Sequence, residues 1–361
     1  MGFAQRTPGN IQYEIAKGSF VPHIRLTNMS MAYFQDQSEF VAKKVFPIVP
    51  VQLSSAFYYE FSKGDLARNN VRRKPQMGKV DPAVMGHSEN SYQCFVDQII
   101  TGIDEISTLD YQRGKAPASI DPRKAKARFI AEQMNIALDI KFAESFFNKN
   151  VWSNTLTGGT ANSTANKTFI KFDDDNCDPI KQFDTYRRFM QEEGRRKPNK
   201  LSLGVNAFDA LKNNPSILER VKYGGSTPNP ATVTENVLAQ LLGVDEVLVF
   251  QSTYNAAPLG EEDDMRFICD PNAALLTYTT KSPAIDEPSA GYIFAWDMLG
   301  NGQYMPTLQW PGENGTHTEF MEGLFAYDMK KTSDCLGIYL DACCGEIETA
   351  EEGTDEGEVT P

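Results

Sequence analysis

The sequence predicts an α+β fold, and three features carry that expectation. Residues 121–148 form one uninterrupted helical pattern, and residues 179–283 alternate short helices with short strands. Late β segments at 292–296, 322–329 and 336–340 have no partner nearby in the chain.

The long helix is the clearest element. Asp121 suits an N-cap, and Pro122 suits the first helical position, where its missing N–H costs nothing. No Gly or Pro follows until after Asn148. Ala125, Phe129, Ile130, Met134, Ala137, Leu138, Phe142 and Phe146 recur near the helical period, with the Lys141 stem and Ser145 on the same stripe. At ~1.5 Å per residue this is a rod of about 42 Å, long enough to serve as a spine.

The α/β alternation comes next. Asp178 caps a helix from Pro179 to Glu193 that Gly194 stops, and Lys200 to Val205 is a strand. A helix from Ala207 to Lys212 breaks before Pro215, and Ser216 to Tyr223 is helical again. Thr232 to Leu242 ends at Gly243 and leads into the apolar strand Glu246 to Phe250, with further β character at Phe267–Ile268 and Ala274–Thr279. Residues 179–283 read as a lobe between proline-bearing joints, with the later strands pairing outside it. The Gly/Thr/Asn-rich stretch at 157–166 reads as a polar surface loop.

The start of the chain has a different character. Residues 1–45 lack a clean period and carry Pro8, Gly9, Gly18 and Pro22, as expected of an arm that gains order against something else. A short helix from Ser38 to Lys44 is expected to end before Phe46-Pro47. Ile48 to Phe61 and Tyr92 to Ile100 read as strands. Between them, Ser62 to Glu89 holds Lys63, Arg68, Arg72, Arg73, Lys74 and Lys79 among glycines and prolines, with few large apolar residues. Two strands flanking such a tract predict a protruding β-loop with a basic tip.

Composition narrows the function. The chain has 361 residues, 41% hydrophobic and 23% charged, which is ordinary for globular proteins and about two structural units long. A formal charge of −13 argues against coating nucleic acid with the bulk surface. No apolar run approaches the ~20 residues that span a bilayer, and Met1–Asn10 has no apolar leader stretch. The expectation is a soluble intracellular chain with no membrane partner. Residues 341–361 contain eight acids and no base, which reads as a solvated acidic tail.

No reactive constellation is visible. The cysteines Cys94, Cys177, Cys269, Cys335, Cys343 and Cys344 have no Cys-x-x-Cys spacing and read as reduced packing thiols. Histidine occurs only at His23, His87 and His317. Gly158 to Thr168 superficially suggests a phosphate loop, but Ala161 and Asn166 stand where glycines are required. The acid runs Asp173–Asp175 and Glu261–Asp264 lack calcium-loop spacing. No catalytic, cofactor-binding or metal-binding residue is assigned, and no enzyme activity is expected.

Four stretches stand out in order along the chain: Val41-Ala42-Lys43-Lys44-Val45-Phe46-Pro47-Ile48-Val49-Pro50-Val51 leading through Tyr59 and Phe61 to Lys63-Gly64-Asp65; Pro228 to Ala257, with Leu242-Gly243-Val244-Asp245-Glu246-Val247-Leu248-Val249 and Tyr254-Asn255-Ala256-Ala257; Ser289-Ala290-Gly291-Tyr292 with Trp296; and Ala326-Tyr327-Asp328-Met329-Lys330 with Asp334-Cys335-Leu336-Gly337-Ile338-Tyr339. Taken in that order, from about Glu39 to Ala342, they resemble major capsid proteins of tailed bacteriophages. The resemblance implies the Hong Kong 97-like fold: an N-terminal arm (1–47), a long β E-loop (48–95), a peripheral domain (96–178 and 284–340) with its spine helix at 121–148, an axial domain (179–283), and here an acidic tail (341–361).

It also implies a structural protein that assembles with itself into pentamers and hexamers of an icosahedral virion shell around double-stranded DNA. That DNA would be held without sequence recognition. Implied partners are a portal and scaffolding or decoration proteins, with assembly in the host cytoplasm. Arg68, Arg72, Arg73 and Lys74 are expected to lie on a neighbouring subunit and pair with acids there. Some relatives crosslink a Lys to an Asn; Lys63, Lys74 and Lys79 lie in the loop, but no partner aligns and no such site is assigned. Two other readings are an encapsulin-like nanocompartment shell, which shares the fold, and a cytoplasmic α/β enzyme.

Overall fold

A computed structural model of the chain describes residues 40–61, 63–74, 76–84, 86–104, 122–163, 165–224, 233–280, 287–298 and 305–345. The expected arm before residue 40, the expected cap Asp121 and the rest of the expected acidic tail after residue 345 lie outside them. Mixed helix and sheet is the observed class, organised around two sheets and one long helix.

The first sheet is built from α1 (Ala42–Val45) onward. Strand β1 (Ile48–Val51) pairs in parallel with β12 (Gly291–Trp296), Ile48 opposite Ile293. Strand β12 runs antiparallel to the C-terminal half of the 14-residue β14 (Thr318–Lys331), and β13 (Thr307–Pro311) runs antiparallel to its N-terminal half. Strand β4 (Phe95–Asp104) pairs along Thr318–Tyr327 of β14. Between β1 and β4 the chain leaves as a separate hairpin, β2 (Ser55–Phe61) and β3 (His87–Gln93). The tract expected to be one strand from Ile48 to Phe61 is therefore two strands, split by a bend at Gln52–Ser54. Tyr92 to Ile100 is likewise divided at Cys94 between β3 and β4. In each case the halves have different partners, and a strand cannot serve two sheets without bending.

The spine is α3 (Pro122–Ser145). Its upper face packs Ala127, Ile130 and Met134 on Ile99, Ile103 and Met321. A Cβ on Gly323 would sit 2.5 Å from the Ile130 Cγ2, so glycine allows the helix to approach the sheet there. The buried stripe differs from the expected one: Ala125, Ala137 and Lys141 are exposed and Phe129 is half exposed, whereas Asn135 and Asp139 are buried. A polar residue whose partners come from distant segments carries no signal in a hydrophobic period.

The second sheet has the order β6 (Thr168–Ile170), β5 (Thr155–Gly159), β15 (Gly337–Asp341), β11 (Ala274–Thr277), β7 (Lys200–Gly204), β8 (Glu246–Phe250). Helices α4 (Pro179–Gly194), α5 (Val205–Asn213), α6 (Pro215–Gly224) and α7 (Glu235–Leu242) accompany it. Local signals hold well here. The Asp178 side chain accepts the Lys181 N–H at the start of α4, and Gly243 takes a left-handed φ of 67° at the end of α7.

Long-range pairing departs from expectation. Residues 336–340 were expected to pair outside 179–283, yet Gly337–Asp341 pairs with Ala274–Thr277 in the middle of this sheet. Thr157–Gly159, expected to be loop, belongs to β5. The first residues of the expected acidic tail are also structured: the Phe172 N–H donates to the Cys343 carbonyl, the Cys343 N–H donates to the Asn272 carbonyl, and both Cys343 and Cys344 are buried.

A single core cluster runs from Val41 to Cys343 and joins the two sheets. Its centre is aromatic: Phe142 stacks on Phe250, Phe147 meets Phe250 and Tyr339, and Phe46 meets Phe142 and Phe146. Phe40, Val41, Ala42, Val45 and Phe46, expected to be ordered by a neighbour, are thus buried in their own subunit. The helix expected at Ser38–Lys44 is observed as Ala42–Val45. The cysteines act as packing residues; five are buried, and burial pushes the Cys94 thiol up to about 11 and that of Cys177 to about 12.

Gly337 tests the tightness of this core. A Cβ there would lie 2.2 Å from the Trp152 ring, whose indole N–H is itself fixed on the Phe146 carbonyl at 2.8 Å. Gly337→Ala is expected to cost about 1–3 kcal/mol by overpacking, read as a lower urea midpoint. An unchanged midpoint would show that Trp152 moves aside freely.

Candidate assembly surface

The β2–β3 hairpin has two unlike faces because side chains alternate along a strand. Tyr58 and Tyr92 turn inward onto Phe294, Tyr92 stacking at 4.5 Å between ring centres. The bend is pinned by the Trp296 indole N–H, which donates to the Gln52 carbonyl, and by the Gln93 N–H, which donates to the Asp328 carboxylate at 2.9 Å. Phe57 and Tyr59 point the other way, 71% and 59% exposed. The hairpin is therefore rooted firmly and leaves an aromatic face unburied.

Beyond the hairpin, α2 (Lys63–Ala67) opens the basic tract. The Asp65 carboxylate accepts the Gly86 N–H at 3.1 Å and closes the base of the loop. Few other contacts hold it: the Arg68 N–H donates to the Gly64 carbonyl, and the Val71 N–H donates to the Asn69 side chain.

Arg68, Arg72, Arg73 and Lys74 all lie exposed along this tract. Arg72 approaches Asp81 at 3.7 Å, with both side chains largely in solvent. Among the described residues, none supplies a carboxylate to Arg68, Arg73 or Lys74. Reading the sequence found these charges but missed the apolar residues interleaved with them. Val71 and Val84 are mostly exposed, and Met77 is wholly so. Isolated apolar residues in a Gly/Pro-rich tract look like tolerated loop residues, and only their exposure reveals them.

Magnitudes rank these groups. An exposed ion pair contributes about 0–1 kcal/mol, whereas burying one large apolar side chain contributes about 1.5–3 kcal/mol. A partner covering this loop would gain most affinity from Phe57, Met77 and Val71, and register from the arginines. Strand β4 adds Phe95, Val96 and Ile100, each about half exposed or more.

Among the described residues no cluster of His, Cys, Asp or Glu is arranged to hold a metal ion, and no helix is long and apolar enough to cross a membrane.

Comparison with known proteins agrees with the architecture. No family model matches the chain. The major capsid protein of Burkholderia phage BcepMu is 21% identical over 231 residues, covering 63% of this chain and 68% of that protein. A phage-related protein from Bordetella bronchiseptica RB50, known by crystal structure, superposes with a TM-score of 0.66 at 19% identity, over 90% of this chain and 98% of that one. The capsid of cyanophage P-SCSP1u gives a TM-score of 0.48 at 11% identity over 82% of this chain and 86% of that chain, too weak to carry weight. By sequence the chain is similar to a phage major capsid protein, and its mixed helix-and-sheet fold is the Hong Kong 97-like architecture.

Proposed function

We propose that this chain is the building block of an icosahedral phage shell, closing into pentamers and hexamers through its own projecting parts and enclosing double-stranded DNA without reading its sequence. Its role is that of a capsid shell protein, structural in kind. One observation carries the finer reading: a hairpin anchored at its root by Phe294, Trp296 and Asp328 exposes aromatic, apolar and cationic side chains along its free length. A surface of that kind is incomplete in a single copy.

Copies related head to tail supply the cover. A loop on one flank that docks on a different patch of the next copy makes a heterologous contact, and such contacts close into rings. The loop residues Arg68, Arg72, Arg73 and Lys74 then lie over the neighbour, steering approach and fixing register. Rings joined to one another form a shell, with a portal at one vertex and scaffolding or decoration proteins as further partners. Assembly takes place in the host cytoplasm and yields a virion component.

Negative-stain microscopy of the purified protein tests this: closed shells or ring-shaped capsomers are expected, and a small monomer at every concentration would refute it. Shells that carry protein cargo and no nucleic acid in the native host would favour the nanocompartment reading. A second test is chemical. Arg72→Glu with Arg73→Glu is expected to lower shell yield about tenfold at low salt, with the urea midpoint of the unassembled chain unchanged. Normal assembly of that variant at low and high salt would remove the basic tract from the interface.

A further inference from the structure

A second two-stranded ribbon lies outside both large sheets. After β8, Ser252 leads into a ribbon of two three-residue strands, β9 (Thr253–Asn255) and β10 (Met265–Phe267). A ribbon this short does not hold itself in water, so its shape is set by side chains. The Asn255 side-chain oxygen accepts the N–H groups of Ala257 and Asp264, both at 3.0 Å, while its amide donates to Asp263 at 2.6 Å. Arg266 pairs with Asp264 at 2.8 Å, and the Ile268 N–H closes the base on the Ser252 carbonyl.

These bonds fix the tip without covering its apolar side chains. Leu259 is wholly exposed, Met265 is 63% exposed and Phe267 is 42% exposed, the last two on one face of β10. A tip that is rigid and still apolar is preorganised for docking, because little conformational freedom remains to be lost on contact.

Charge selects the occupant. Asp263 and Asp264 are engaged in holding the ribbon, whereas Glu261 and Glu262 are exposed and have no ion partner among the described residues. The basic tract at 68–77 offers the opposite combination, exposed cations of which Arg72 alone has an ion partner among the described residues, the solvent-exposed Asp81, interleaved with exposed Val71 and Met77. Among the described residues no ion pair joins the two projections within one chain. Complementary patches that do not meet in one copy meet between two.

We infer that the β9–β10 ribbon is the receptor for the basic loop of the adjacent copy, with Glu261 and Glu262 facing Arg72 and Arg73 while Leu259 and Met265 cover Val71 and Met77. This rests on the capsid reading above and names the surface that the loop engages.

Charge exchange in the full-length chain tests it. Glu261→Lys with Glu262→Lys is expected to lower shell yield about tenfold, as Arg72→Glu with Arg73→Glu does, and the four changes together are expected to restore it to within about twofold. Circular dichroism and thermal melting of each unassembled variant confirm that the fold is intact. Normal assembly of the Glu261/Glu262 variant, or failure of the fourfold variant to recover, overturns the pairing. If Arg72/Arg73 reversal is harmful while Glu261/Glu262 reversal is not, the loop remains an interface and its receptor lies elsewhere. If neither matters, the loop reading falls as well.

Discussion

Phe46→Ala is expected to destabilise the unassembled chain by about 3–5 kcal/mol, the range for removing a fully buried aromatic ring. The site has little capacity to collapse. Phe46 is completely buried, with Phe142 at 5.3 Å and Phe146 at 5.0 Å in edge-to-face contact. Its ring also lies flush on β12: a Cβ on Gly291 would come within 2.7 Å of it. One residue thus fastens the segment around α1 to both the long helix and the first sheet. Because β1 begins two residues later, the loss is expected to spread to the β1–β12 ladder. Denaturant midpoints report the first effect and faster amide exchange at Ile293, which donates to the Pro47 carbonyl, reports the second. A cost below about 1 kcal/mol would contradict this assignment.

Asp139→Ala is the second large effect. Asp139 stands on the spine, almost fully buried, and its carboxylate accepts the Ala42 N–H at 3.0 Å, the Val41 N–H at 3.4 Å and the Ser252 hydroxyl at 3.0 Å. It therefore ties together the start of α1, the long helix and the base of the β9–β10 ribbon. Alanine would strand three buried donors while relieving the cost of a buried charge, for a net loss of about 2–4 kcal/mol.

The same carboxyl makes stability depend on pH. Burial pushes it up from 3.8 to about 6, opposed by its three donors and by nearby Lys43, whose own value burial lowers to about 8. The folded chain holds the Asp139 proton more tightly than the unfolded chain does. Its contribution is thus fully present below about pH 4 and is lost as pH rises through about 6, a change of about 3 kcal/mol. Asp139→Asn lacks this titration. The stability of the natural chain minus that of the Asn variant is expected to fall by that amount between pH 4 and 7, and a flat difference would show that water reaches the carboxylate.

Local chemistry was legible in the sequence and long-range pairing was not. Pro122, Asp178, Pro215 and Gly243 mark helix boundaries through their own backbone preferences, and each boundary appears where those residues put it or within a few positions. The likeness to phage capsid proteins was equally readable from motifs in sequence. Strand partners obey no such local rule. Nothing in Gly337–Asp341 states that it lies between β5 and β11, and nothing in Ile48–Val51 states that it leaves the hairpin for β12. The candidate surface was half visible: Arg68, Arg72, Arg73 and Lys74 stand out as charge, while Phe57, Met77 and Leu259 resemble ordinary residues until their exposure is known. Asp139 was invisible for the opposite reason, since it occupies a helix position that apolar periodicity skips.

The central place of β15 in the second sheet bears on how these subunits are made. Strand β15 follows both of its neighbours in the chain, so β5 and β11 have no bridge between them until synthesis has passed residue 341. Such distant closure is slow and comes late. Cutting the chain before Gly337 is consequently expected to abolish cooperative unfolding, because β5 and β11 lose the strand that lies between them.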